Sequence, residues 1–156
     1  MADSGQPIRL LNTIGGDGVA LLRRLRTAAA QARPGNWAPY SGFEVLAAVV
    51  TTDGRVYAGS NIENANLTLT KHAEEVAAIR AVADGALDRC GRQCIAAVYV
   101  ACASSGAPCG GCRQFLAEFA AADCVWVGEN TADGVVQARR FAELLPLAFG
   151  PGDLGA

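Results

Sequence analysis

Histidine occurs once in these 156 residues, methionine once, and aromatic side chains make up only 6% of the chain. Long apolar runs are missing as well. The longest, Ile95 to Ala103, is about half of the ~20 residues a bilayer-spanning helix needs, so a membrane span is not expected. Neither sign of charge dominates: thirteen Lys and Arg face fifteen Asp and Glu, for a formal net charge of −2. A generic nucleic-acid or membrane-surface binder would show a basic excess or stripe. The opening residues, Met1-Ala-Asp-Ser-Gly-Gln, offer neither the basic region nor the apolar core of a secretory signal, and a cytoplasmic protein is expected.

Apolar residues are plentiful, at 51%, which excludes intrinsic disorder. The length suits a single domain over residues 1–156, large enough to bury roughly 68–70% of its unfolded surface without disulfide staples. Six cysteines in a reducing compartment then have to be core residues, metal ligands or nucleophiles.

Residues 1–16 are polar and contain glycine, and are expected to form a loose arm. Asp17 is a plausible N-cap for a helix whose stripe is Leu21, Leu22, Leu25 and the alanines up to Ala32. Phe43 to Thr51 is β-branched and apolar; Asp53-Gly54 signals a hairpin returning through Arg55 to Ser60. A polar loop, Asn61 to Lys71, leads to a helix over His72 to Asp84 with Val76, Ile79 and Ala83 at helical spacing, and Gly85 just past its end. Cys94 to Cys102 is the near-continuous apolar pattern of a strand covered on both faces. A helix over Gly110 to Ala121, strands at Cys124 to Val127 and around Val135-Val136, and a short helix from Arg139 to Leu145 complete the order. A hairpin followed by β-α-β crossovers implies an α/β fold with a mixed sheet and helices on its faces.

Two motifs carry chemistry. Cys109-Gly-Gly-Cys112, preceded by Pro108, opens a helix; taken alone it could be a redox pair, half a structural zinc site or two buried thiols. Upstream, the single histidine stands in His72-Ala73-Glu74, also at a helix start, where alone it could be a surface or capping residue. Thiols at i and i+3 share one face of a first helical turn, and the positive end of a helix favours thiolates. One imidazole and two thiolates make three ligands. Catalytic zinc keeps three protein ligands and an open fourth position, whereas structural zinc takes four. His-x-Glu followed by Pro-Cys-x-x-Cys is the pattern of zinc nucleobase deaminases, with the glutamate as general acid and base rather than ligand. His72 and Glu74 can face one metal only if His72 sits at the helix terminus, because residues two apart in mid-helix diverge.

At this point the chain resembles the cytidine deaminases of nucleoside salvage. The matching stretches are Ala38-Pro-Tyr-Ser-Gly-Phe43-Glu-Val45, Asn61-Ile-Glu63-Asn-Ala65, His72-Ala-Glu74, Pro108-Cys-Gly-Gly-Cys-Arg-Gln114 and Leu144-Leu-Pro-Leu-Ala-Phe149. The resemblance implies a three-layer α-β-α fold on a mixed sheet of about five strands. It implies a Zn2+ cofactor on His72, Cys109 and Cys112, with Glu74 as the catalytic residue. The implied reaction is hydrolysis of cytidine or deoxycytidine to uridine or deoxyuridine plus ammonia, by a homo-oligomer, usually a tetramer. Asn61 and Glu63 fall on the family's ribose clamp, where the plain alternative is a turn after a strand. Phe43 falls on the aromatic that packs on the pyrimidine, or is a core residue of the first strand. Backbone donors near Ala73 match those that hold the pyrimidine carbonyl. Phe149 matches an aromatic that reaches a neighbouring subunit's site, or else plugs its own chain. No nucleic acid and no membrane are expected among the partners.

The chain also departs from the family's common small form. That form has a third cysteine at position 72 and an arginine at position 75, where this chain has His72 and Glu75. The pair of changes is self-consistent: three thiolates leave an excess negative charge that a cation offsets, and a neutral imidazole removes that need. Leu46 replaces a glycine, and Leu67-Thr68 an aromatic-glycine pair. These pocket departures motivate an alternative substrate, a modified cytosine nucleoside such as a blasticidin S-type antibiotic. A non-catalytic zinc-binding module is the alternative from another class, with Cys102 the remaining thiol expected near the site; Cys90, Cys94 and Cys124 read as small buried hydrophobes.

Overall fold

The computed structural model describes residues 5–155. Its core is a five-stranded sheet of β1 (Val45–Thr51), β2 (Val56–Ser60), β3 (Ile95–Cys102), β4 (Ala120–Asn130) and β5 (Val136–Arg140), in spatial order β2-β1-β3-β4-β5. Only the β3–β4 pair is parallel, as the intervening helix α5 (Gly110–Ala117) requires. The β1–β2 hairpin turns at Asp53-Gly54, where Gly54 takes a φ of 83° that a side chain would resist.

Strand parity divides the core. Leu46, Ala48 and Val50 of β1, with Tyr99 of β3 and Val125 and Val127 of β4, face helices α1 (Gln6–Asn12) and α2 (Gly18–Gln31). Ala47 and Val49, with Val98, Val100 and Trp126, face α3 (Ala73–Ala83), α4 (Ala86–Cys90), α5 and α6 (Phe141–Leu144). The result is the expected three-layer α-β-α fold. Asp17 caps α2, accepting the N–H groups of Val19 and Ala20. Every residue of β3 is buried, as its unbroken apolar run demands.

Several local expectations are corrected. Most of the described part of the loose arm is α1, with Pro7 in its first turn and Leu11 fully buried against the α2 face; residues 1–4 lie outside the described residues. The helix from Gly110 stops at Ala117, because residues from Ala120 onward pair with β3 instead. Arg139 and Arg140 belong to β5, and the last helix begins at Phe141. On α3 the larger apolar side chains do not face the core: Ile79 is 44% exposed, and the buried face is Ala73, Glu74, Ala77, Ala78 and Ala81. Small side chains let this helix lie close to the sheet. Gly59 of β2 completes the fit, since a Cβ there would come within 2.7 Å of the Ala73 carbonyl and the Ala77 nitrogen.

Among the described residues no helix is long and apolar enough to cross a membrane.

Candidate functional site

The two chemical motifs meet because α3 and α5 lie in the same layer with their N-termini at one end of the sheet. His72 is the N-cap of α3, with extended backbone (φ −78°, ψ 154°), so the geometric condition set by the sequence is met. Cys109 is likewise the N-cap of α5 (φ −68°, ψ 170°), and its sulfur accepts the Cys112 N–H at 3.5 Å. His72 Nδ1 lies 3.2 Å from Cys112 Sγ and 3.5 Å from Cys109 Sγ. All three donor atoms fall within 4.8 Å of one another.

These separations fit a tetrahedral zinc ion, whose ~2.3 Å bonds to sulfur and ~2.0–2.1 Å bonds to nitrogen set donors roughly 3.5–3.8 Å apart. Burial, together with the charges of Glu74 and Cys109, pushes the Cys112 thiol far above its ordinary range; a cation among the donors is what relieves that penalty. Arg113 anchors the cysteine turn by donating to the carbonyls of Pro108 (2.9 Å) and Leu144 (3.0 Å).

Glu74, only 4% exposed, lines a cavity of about 320 Å³ that His72, Cys109, Phe43, Asn61 and Glu63 also line. Burial raises its carboxyl above the ordinary glutamate range, the environment expected of a group that exchanges protons. Ala73 lines the cavity through the start of α3, and Cys102 also reaches it, its sulfur 3.2 Å from Ser104 Oγ. Cys94 and Cys124 are buried, Cys90 partly so.

Asn61 and Glu63 both line the cavity and tie its wall together. The Asn61 amide oxygen accepts the Val45 N–H at 2.9 Å and Asn36 Nδ2 at 2.6 Å, while its own Nδ2 donates to the Phe43 carbonyl at 2.9 Å. Glu63 accepts the Ser41 hydroxyl and the N–H groups of Tyr40 (2.9 Å) and Ser41 (3.2 Å). The Ser41 hydroxyl, then those N–H groups, hold its carboxyl below the usual range. Phe43 is 43% exposed on the cavity wall, so it is not a core residue of β1.

Phe149 is not brought to this cavity. It is 59% exposed, at the edge of a separate groove lined by Arg92, Ala117 and Glu118, with its carbonyl accepting Gln114 Nε2 at 2.7 Å. Nor do the departures that motivated an antibiotic-like substrate touch the cavity. Leu46 points into the opposite layer, against α2, because it differs in parity from Val45. Leu67 and Thr68 form an exposed turn capped by Asn66. Asn36 and Gly59 were not singled out in the sequence, and Ser41 and Arg113 stood in quoted stretches without a role of their own; Asn36, Ser41 and Arg113 bond to backbone or to other side chains, and Gly59 matters for the space it leaves.

Residues 20–128 match the family model described as "Cytidine and deoxycytidylate deaminase zinc-binding region". The chain belongs to this deaminase family. It is 41% identical over 128 residues to a cytidine deaminase from Halalkalibacterium halodurans, covering 81% of this chain and 92% of the relative. It is 38% identical over 136 residues to one from Mycobacterium tuberculosis, covering 83% and 90%. The crystal structure of cytidine deaminase from Burkholderia pseudomallei superposes with a TM-score of 0.73 at 39% identity, over 81% of this chain and 98% of that one. The deaminase family is zinc-binding, and the histidine and two thiolates supply the donor set that zinc requires.

Proposed function

We propose that this chain, working as one deaminase domain, hydrolyses cytidine and deoxycytidine to uridine and deoxyuridine with release of ammonia. The observation that carries this reading is the convergence of His72, Cys109 and Cys112 beside a cavity that His72 and Cys109 line together with the buried Glu74, Asn61 and Glu63. His72 Nδ1 and the two sulfurs would hold zinc, which when bound supplies the Lewis acidity that makes water nucleophilic at neutral pH. Glu74 accepts a proton from the attacking water and delivers it to N3 of the pyrimidine as the new C–O bond forms at C4. It then moves the proton of the new C4 hydroxyl to the amino group, and the C4–N bond breaks to leave the C4 carbonyl and ammonia. Phe43 supplies an apolar wall for the base, and N–H groups at the start of α3 around Ala73 face the pyrimidine carbonyl. Asn61 and Glu63 bind the sugar hydroxyls.

Exposed apolar side chains support a homo-oligomer. Trp37, Ile62, Leu67 and Leu69 are 58%, 44%, 66% and 56% exposed, and the segments carrying Trp37 and Ile62 pair with each other. A surface of this kind marks an association site. A tetramer is the assembly we favour, with Phe149 free to reach a neighbouring subunit, in a cytoplasmic enzyme of pyrimidine salvage.

The test is ammonia release from a panel of cytidine, deoxycytidine, cytosine, adenosine, guanosine and blasticidin S. Turnover of the two cytosine nucleosides, with little on the rest, is the expected pattern. Preference for blasticidin S, or no turnover by zinc-loaded protein, would overturn it.

A further inference from the structure

We infer that Asn36, which does not line the cavity, is a positioning residue that sets which face of the Asn61 amide a bound sugar meets. The inference rests on the reading of Asn61 as a sugar-binding residue. Asn61 is 7% exposed, and its amide oxygen has two lone pairs to satisfy. One takes the Val45 N–H at 2.9 Å and the other Asn36 Nδ2 at 2.6 Å. Turning the amide over would set N–H donors against both of these donors, so the oxygen is held away from the ligand. Asn61 Nδ2 carries two N–H groups. One goes to the Phe43 carbonyl at 2.9 Å, and among the described residues no protein acceptor takes the second. A sugar therefore meets Asn61 as a donor and the ionised Glu63 as an acceptor, the complementary pair that grips a hydroxyl from both sides.

Asn36 is placed for this task by its surroundings. Trp37, the next residue, exchanges backbone bonds with the Asn61–Glu63 segment: its N–H donates to the Asn61 carbonyl at 3.1 Å and its carbonyl accepts the Glu63 N–H at 2.7 Å. Asn36 Nδ2 adds a longer 3.4 Å contact to that same Asn61 carbonyl. The side chain bridges the loop before β1 and the segment after β2, and Asn61 is held between them. Losing one neutral hydrogen bond of this kind corresponds to roughly a three- to tenfold change in an equilibrium constant.

The experiment compares Asn36→Ala, Asn36→Asp and Asn61→Ala with the native zinc enzyme. The readouts are KM and kcat for cytidine, and the competitive inhibition constant of 2′,3′-dideoxycytidine, which lacks the 2′ and 3′ hydroxyls that the Asn61–Glu63 pair is read to grip and keeps only the 5′ hydroxyl. Asn36→Ala is expected to raise KM for cytidine roughly three- to tenfold with a smaller change in kcat, leaving the dideoxy compound's constant nearly unmoved. Asn36→Asp keeps the volume but puts an acceptor against the Asn61 oxygen, so its KM should rise further than that of the alanine variant. A packing role would make the aspartate variant the milder of the two, or would weaken both ligands equally, and either result overturns the inference. Native cytidine binding in both Asn36 variants, with Asn61→Ala selectively impaired, overturns it while leaving the sugar-binding reading intact. If Asn61→Ala itself fails to distinguish the two ligands, the sugar-binding reading falls and this inference with it.

Discussion

The carboxylate of Glu75 accepts the backbone N–H of His72 at 3.1 Å. It is the N3 glutamate of a capping arrangement, and the residue it holds is the one whose ring must face the two thiols. Glu75 therefore has a structural task beyond any charge exchange with position 72. Glu75→Arg should lose the cap, destabilising the protein by about 0.5–2 kcal/mol and speeding zinc loss to a chelator. Glu75→Gln, which still offers an acceptor at N3, should change both much less. Thermal melting and chelator-competition rates check this; indistinguishable arginine and glutamine variants would reduce Glu75 to a solvated surface group.

Glu74→Gln should keep fold and zinc but lose ~10²–10⁴-fold in turnover, toward the upper end because one carboxyl serves several proton transfers. Burial disfavours the charged form of Glu74. The neutral amide should therefore melt no lower than the native carboxyl in metal-free protein. Metal content, melting and steady-state rates together decide it. Retained turnover would take the proton-transfer role away from Glu74.

Gly59→Ala tests the close approach of α3. The added methyl meets backbone at 2.7 Å on two atoms and Val76 Cβ at 2.8 Å, contacts that no rotamer change relieves. Overpacking of this kind costs about 1–3 kcal/mol, or a Tm several degrees lower in a chain of this size. Because His72 and Glu74 ride on the displaced turn, activity measured well below the Tm should fall as well. An alanine variant with native rates would mean that the helix shifts without moving its first turn.

Acid stability tests a cluster away from the site. Asp53 pairs with Arg89 at 2.9 Å, and Asp84 pairs with Arg55 at 3.2 Å and accepts the Tyr57 hydroxyl at 2.6 Å. The Thr51 hydroxyl and then Arg89 hold Asp53 below its ordinary range, and Tyr57 and then the arginines do the same for Asp84. A depressed folded-state pKa stabilises above the unfolded value of ~3.9 and is lost as pH falls through and below it. Melting curves from pH 7 down to 3 should thus decline less steeply for Asp53→Asn than for the native chain. Added salt should flatten the native curve, since these groups are exposed. Parallel curves would leave the cluster without a part in acid unfolding.

The deaminase scaffold was legible where local chemistry and burial agree. Asp17 announces α2, Asp53-Gly54 the hairpin, and the apolar run to Cys102 the central strand. It was not legible where tertiary contacts override composition. The residues from Ala120 look helical, yet they pair with β3, and α1 is too short to show a convincing period although Leu11 is buried. On α3 the eye follows Val76 and Ile79, while the sheet selects alanines because Gly59 brings the helix so near. The His72, Cys109 and Cys112 group was legible because the single histidine and the Cys-x-x-Cys spacing stand out, and the structure brings the three together; Asn36 was missed because an asparagine before a strand has many ordinary uses.

The three donor atoms come from segments 37 and 40 residues apart in sequence. An ion held by all three acts as a covalent bridge would, closing a loop of that length between the starts of α3 and α5 and removing the corresponding entropy from the unfolded chain. Zinc held there would thus also fasten the helical layer, and the melting temperature should rise with free zinc by mass action, even in a Glu74→Gln protein whose turnover is largely lost.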